Sequence, residues 1–252
     1  MSFITILLII AIIVILYYLI VSFTSTFNTL SVSLAPANQM KTIDAKTLPK
    51  TGNGASASNF TYSVWFYIND WNYRYGEPKV VFGRMGQSGT TPNPTTGVSG
   101  TNPCPLVTLG ALNNDLTISL SVFPTSTSGP SQSLVHNCTI QNVPIQNWVN
   151  LLISTYGNVL DVYLDGKLVR TCVLPGVVNV NTNSSVYLTP NGGFSGFTSK
   201  FQYFPNATDP QTAWNIYTQG YGASWWQNTF GGSYQVQVSL LQDGQPKGSV
   251  SI

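Results

Sequence analysis

The chain has 252 residues and a formal net charge of only +2, and charged side chains make up 7% of it, against about 25% in ordinary soluble domains. Its ten Lys and Arg are scattered singly, which excludes a nucleic-acid surface, since that needs a clustered basic patch to neutralise phosphates. So few charges give poor protection against association, and they suit either a surface covered by neighbours or a Thr- and Asn-rich β-domain kept soluble by amides and hydroxyls.

Residues 3–23, FITILLIIAIIVILYYLIVSF, hold no charge, Pro or Gly, and the first charged side chain of the whole chain is Lys41. As a helix these residues span ~31 Å, the thickness of a bilayer hydrocarbon core. They read as one uncleaved transmembrane helix, the core of an anchor over residues 1–24. The start MSFIT has no positive n-region and the exit VSFTSTF no small-x-small cleavage site, as a signal peptide would require. A buried helix of a soluble domain would keep a polar stripe, which residues 6–21 lack. The nearest basic residues, Lys41, Lys46 and Lys50, lie at the limit of the range over which positive-inside counting works, so they do not fix the orientation.

Residues 25–58 are polar and rich in turn formers and read as a tether, with a short strand at 30–34 where Leu30, Val32 and Leu34 alternate with Ser31 and Ser33. Period two then begins. In residues 60–68, Phe60, Tyr62, Val64, Phe66 and Ile68 fall on one face and Trp65 and Tyr67 on the other, so both faces of a central strand are covered. A short strand at 79–84 leads into residues 86–103, almost all Gly, Ser, Thr, Asn and Pro, which read as a surface loop. Residues 105–109 and 116–122 flank the turn residues Asn113, Asn114 and Asp115 as an antiparallel hairpin. Further strands are predicted at 134–140, 149–155, 159–164 and 167–174. Asp165-Gly166 between the last two is the pair that favours a type I′ turn. Strands at ten-residue spacing predict an antiparallel sandwich or jelly roll. TDPQ at 208–211 reads as a capping box with Pro210 at the first helical position, opening one short helix stopped by Gly220. Beyond it, residues 221–252 hold an alternating stretch from Tyr234 to Leu240 and a turn at Asp243-Gly244, which predict a C-terminal hairpin extension.

Three cysteines, Cys104, Cys138 and Cys172, and the single His136 show no CxxC or HxxxH spacing, so neither metal nor cofactor is expected. Sequons at Asn59, Asn137, Asn183 and Asn206 are no more than chance supplies: 22 Asn and 53 Ser plus Thr in 252 residues give roughly four to five N-x-S/T matches.

The block VPIQNWVNLLISTYGNVLDVYLDGKLVRTCVLPG, residues 143–176, resembles the concanavalin A-like lectin/glucanase jelly roll of laminin G type. It has the Trp-led strand, the short turn, the aliphatic-Tyr-aliphatic strand and Asp-Gly of successive hairpins. Residues 192–220 look like the closing part of the same domain, so the resemblance covers residues 59–220. With YSVWFYI upstream and an apolar anchor, the chain looks most like virion proteins of large nucleocytoplasmic DNA viruses. The resemblance implies an all-β antiparallel sandwich carried by one transmembrane helix, with one short helix near the end of the domain. Trp148 is expected to lie across the gap between the sheets as core, and the Tyr163 hydroxyl to reach an edge. A Cys138–Cys172 disulfide is expected, because each cysteine lies on a predicted strand of the region that the resemblance covers, whereas Cys104 is flanked by Pro103 and Pro105. It requires those strands to pair or face each other at a Cα separation of ~4.4–6.8 Å.

The family's glucanases need paired carboxyls across the sugar, but Glu77 is the only Glu here and no E-x-D-x-x-E arrangement exists. No enzyme is expected. Trp71, Tyr73 and Tyr75, and Trp225 and Trp226, are the exposed-looking aromatics, suited either to glycan contact or to a protein interface. The resemblance therefore implies a membrane-anchored minor capsid protein in the internal membrane of a virion, partnered by other capsid proteins. The alternative is a membrane-anchored lectin-like module.

Overall fold

The structure, a computed structural model, describes residues 10, 12–17, 28–31, 33–49, 58–123, 133–222, 237–242 and 245–251. Two antiparallel sheets form a sandwich. One has seven strands: β1 (Thr29–Ser31), β13 (Ser195–Phe204), β4 (Phe60–Asp70), β9 (Trp148–Tyr156), β10 (Val159–Leu164) and β11 (Lys167–Val173) in that order, with β2 (Ala35–Pro36) also paired to β13. The other runs β3 (Lys41–Ile43), β12 (Val186–Leu188), β5 (Lys79–Pro92), β6 (Ser99–Leu109), β7 (Leu116–Val122) and β8 (Leu134–Ile140).

The period-two pattern explains the layers. Phe60, Tyr62, Val64, Phe66 and Ile68 are all buried and meet Leu116, Ile118, Leu120 and Val122 of β7 in one core between the sheets. At Asp165-Gly166 both residues take positive φ, 50° and 72°, which is the backbone the tight hairpin between β10 and β11 demands. On the other side of β4, Trp65 is covered by the helix Pro210–Thr218, whose Tyr217 stacks on the Trp65 ring at 5.5 Å. Beneath this helix Leu152, Tyr163, Ala213 and Ile216 make a second small core.

Several expectations are corrected. Residues 25–58 are not a plain tether: β1 and β2 extend one sheet, β3 extends the other, and Ala37, Ile43 and Leu48 enter the main core. The supposed loop 86–103 is largely strand, because β5 continues to Pro92 and β6 resumes at Ser99. Bulged pairing tolerates its Gly and Pro, and Val98 folds onto Val80, Met85 and Leu106 in a satellite core. Trp148 does not bridge the sheets: it points outward, stacked on Tyr221 at 4.4 Å and beside Tyr67 at 5.7 Å. Tyr163 is buried rather than reaching an edge. The capping box over 208–211 does not form: Asp209 caps the helix, its carboxylate accepting from the Thr212 N–H at 3.0 Å, while the Thr208 hydroxyl donates to Thr61 and the Gln211 amide to Asn215.

Of the apolar N-terminal stretch, residues 10 and 12–17 are helical and exposed; the rest lies outside the described residues, among which no helix is long and apolar enough to cross a membrane. Residues 222–252 form a separate unit. In it β14 (Gln237–Gln242) pairs antiparallel with β15 (Gln245–Ser251), giving the hairpin read from the alternation there.

Candidate functional site

The first candidate surface is one long side of the sandwich. β8 ends one sheet and β11 ends the other, so each has a single strand neighbour. Between them the structure joins Cys138 to Cys172, with Cα atoms 6.2 Å apart, and Arg170 Nη1 donates to the Thr139 carbonyl at 2.6 Å. Exposed aliphatic side chains stand on both strands among polar ones such as Asn137 and Arg170: Leu134 and Val135 on β8, and Leu168, Val169 and Val173 on β11, are each between 44% and 68% exposed. End strands that carry uncovered aliphatic side chains suit strand addition or packing against another subunit. The sequence missed this side. Its signal was that no strand follows β11 to pair with it, which leaves the last member of the hairpin series at an edge.

The second surface is the loop end around residues 71–79. The expected exposed trio is not a free aromatic platform. Trp71 packs against the main core and its Nε1 donates to the Leu112 carbonyl at 3.2 Å. Tyr73 donates from its hydroxyl to the Gly192 carbonyl at 3.0 Å. Tyr75 alone stands out, 61% exposed. Arg74 forks onto Glu77 through Nε and Nη2, at 2.9 and 2.7 Å, and donates Nη1 to the Asn191 carbonyl. Asn191 in turn donates to the Thr95 carbonyl at 3.0 Å, so three loops are tied into one. Lys79 lies beneath, 1% exposed, its ammonium 4.6 Å from the Trp71 ring centroid and without a hydrogen-bond acceptor. Burial, with Arg74 adding repulsion and Glu77 opposing, lowers its pKa. Trp225 and Trp226 lie outside the described residues.

A third polar cluster sits inside the sandwich. Arg84 Nε and Nη2 donate to the Ser184 and Thr182 carbonyls, each at 3.0 Å, and Nη1 approaches the Tyr62 hydroxyl at 3.4 Å. Burial raises the Tyr62 and Tyr203 hydroxyls, and Arg84 opposes it. Burial also pushes the free thiol of Cys104 up to about 12. The cluster braces a loop and holds no accessible nucleophile.

The carboxylates serve local structure. Glu77 pairs with Arg74, Asp161 accepts from Thr171, Asp165 accepts from the Asn150 N–H, and Asp44 and Asp209 cap helical turns. Among the described residues no group of three or more His, Cys, Asp or Glu could hold a metal ion.

No family model matches the sequence, and no curated protein matches it. Among solved structures, the binding domain of botulinum neurotoxin serotype D/C is similar over 64% of this chain and 36% of its own, at 15% identity and a TM-score of 0.45. The binding domain of botulinum neurotoxin DC in complex with rat synaptotagmin II is similar over 68% and 38%, at 14% and 0.46. The same toxin's binding domain in complex with SialylT is similar over 75% and 45%, at 12% and 0.47. This chain spans less than half the length of each.

Proposed function

We propose that this chain is a membrane-anchored, non-catalytic structural component of a virion, a minor capsid protein whose jelly roll of laminin G type links an internal membrane to other capsid proteins. The observation that supports it best is the disulfide-pinned side of β8 and β11, where both sheets end and each end strand carries exposed aliphatic side chains. A neighbouring subunit that covered them would gain apolar burial and backbone pairing at once. The apolar run of residues 3–23 supplies the anchor. The test is mass spectrometry of purified virions, with the chain expected at a fixed ratio to the shell proteins; its absence ends the virion reading. In the same virus, Val169→Asp with Val173→Asp is expected to leave a folded, disulfide-bonded domain that no longer enters particles, and normal incorporation removes the edge as the docking side.

A lectin-like module is the second reading, carried by one observation, the Tyr75 ring, 61% exposed on the loop that Arg74 and Glu77 brace. An exposed aromatic ring offers a sugar a face to stack on. A glycan array carries the test: binding lost in Tyr75→Ala supports this reading, and an array with no bound glycan eliminates it.

A further inference from the structure

The two outer faces of the sandwich are unlike. On the six-stranded sheet, β7 and β8 turn outward a polar ladder, Thr117 with Thr139 at 3.1 Å and Ser119 with Asn137 at 2.7 Å. On the seven-stranded sheet a single register row runs Phe197, Tyr67, Trp148 across β13, β4 and β9. Tyr221 lies flat on Trp148, with the ring planes 9° apart, and is held there by the Ser199 hydroxyl donating to its carbonyl at 2.6 Å. The helix adds Trp214. Phe197, Trp214 and Tyr221 are 41%, 43% and 44% exposed.

The chain enters the domain on this same sheet. Thr29 of β1 lies beside Gln202 of β13, and β1 and β2 then run along β13 to Pro36 opposite Phe197. Only residues 24–28 separate Phe23 from Thr29, a reach of ~21 Å when fully extended. The first strand is therefore held close to wherever the apolar stretch ends.

We propose that the outer aromatic face of the seven-stranded sheet rests on the bilayer surface, its rings at headgroup depth. The inference rests on residues 3–23 being a membrane anchor. Trp and Tyr collect at membrane interfaces because each joins an apolar ring to a polar tip. A face kept within such a short reach of the bilayer by its own chain meets lipid at high effective concentration, ahead of any free partner. One cation borders the face: Lys200 of β13 donates to the Gln219 carbonyl, two residues before Tyr221, which sets a positive charge where anionic headgroups would lie. The polar ladder of the opposite sheet is left toward water or other proteins.

The test uses the full chain in nanodiscs of phosphatidylcholine and phosphatidylglycerol. Nitroxide labels are placed in turn at Phe197→Cys, Trp214→Cys and, on the other sheet, Thr101→Cys. Cys104 is buried and Cys138 is bonded to Cys172, so the label goes to the introduced thiol. Each variant is checked for cooperative thermal unfolding, and one that fails is replaced by labelling at Tyr221→Cys. The expected result is a several-fold higher ratio of oxygen to nickel-chelate collisions at positions 197 and 214 than at position 101. Equal, water-like ratios at all three, in a chain that stays with the membrane through alkaline carbonate, overturn the docked face and leave the anchor standing. Release by carbonate overturns the anchor and the docking with it. Water-like ratios combined with binding of a soluble glycan or protein to Trp148 assign the face to that partner and overturn the proposal.

Discussion

Lys79 shows how one side chain carries a measurable signature. Its ammonium is buried over the Trp71 ring without an acceptor, and its pKa lies below the ordinary lysine value of 10.5. Between that lowered value and 10.5 the unfolded chain binds more protons than the folded one, so stability climbs with rising pH across the interval and is lost as pH falls through it. Lys79→Met is expected to abolish the climb. At pH 7 it should raise stability by ~1 kcal/mol, since relief of an unpaired buried charge outweighs a lost cation–π contact. Urea unfolding at pH 7 and pH 10 measures both effects. Cys104 gives a second residue-scale prediction: buried, and with its thiol pushed up to about 12, it holds almost no thiolate at pH 8. A disulfide-exchange reagent should find no thiol in the native protein and one after unfolding without reductant; rapid native labelling would contradict its placement.

At the scale of elements, the bond between β8 and β11 closes a loop of 34 residues, for which chain-entropy reasoning gives about 3–4 kcal/mol. Cys138→Ala with Cys172→Ala should lose that much in denaturant unfolding, and a non-reducing peptide map should recover the two cysteines as one linked pair. The same scale shows what the sequence made legible. β4, β7 and β9 to β11 could be read because their apolar residues alternate and tight turns separate them; local pattern and tertiary burial agree there. β1 was legible in part, since the alternation read as a short strand at 30–34 overlaps it; β2 and β3 could not be read, because they are two or three residues long and owe their form to partners more than 140 residues away, such as Ile43 against Val186. The β5–β6 ribbon hid in Gly, Ser and Thr, which register as loop until bulged pairing accommodates them. Of the expected contact residues, Trp71 and Tyr73 are spent on bracing carbonyls, since a ring in a polar loop carries no local mark of whether it faces solvent or a neighbouring loop.

For the whole molecule, the corrected role of the N-terminal segment sets where the domain can be cut. A chain beginning at Ser58 lacks β1, β2 and β3, removes Ala37, Ile43 and Leu48 from the main core and leaves Val186 without its register partner Ile43. It is expected to lose cooperative thermal unfolding, whereas a chain ending at Tyr221 keeps it, because residues 222–252 form their own unit. Calorimetry of the two truncations tests both. The pairing of Thr29 with Gln202 also bears on time. The first strand to leave the ribosome waits for one of the last, so loop closure across most of the chain precedes the contacts that reward it, and folding belongs to the slow, non-local class. An anchor already inserted in lipid would hold the unfinished chain at the membrane throughout that wait, keeping its unpaired edges from those of other nascent copies.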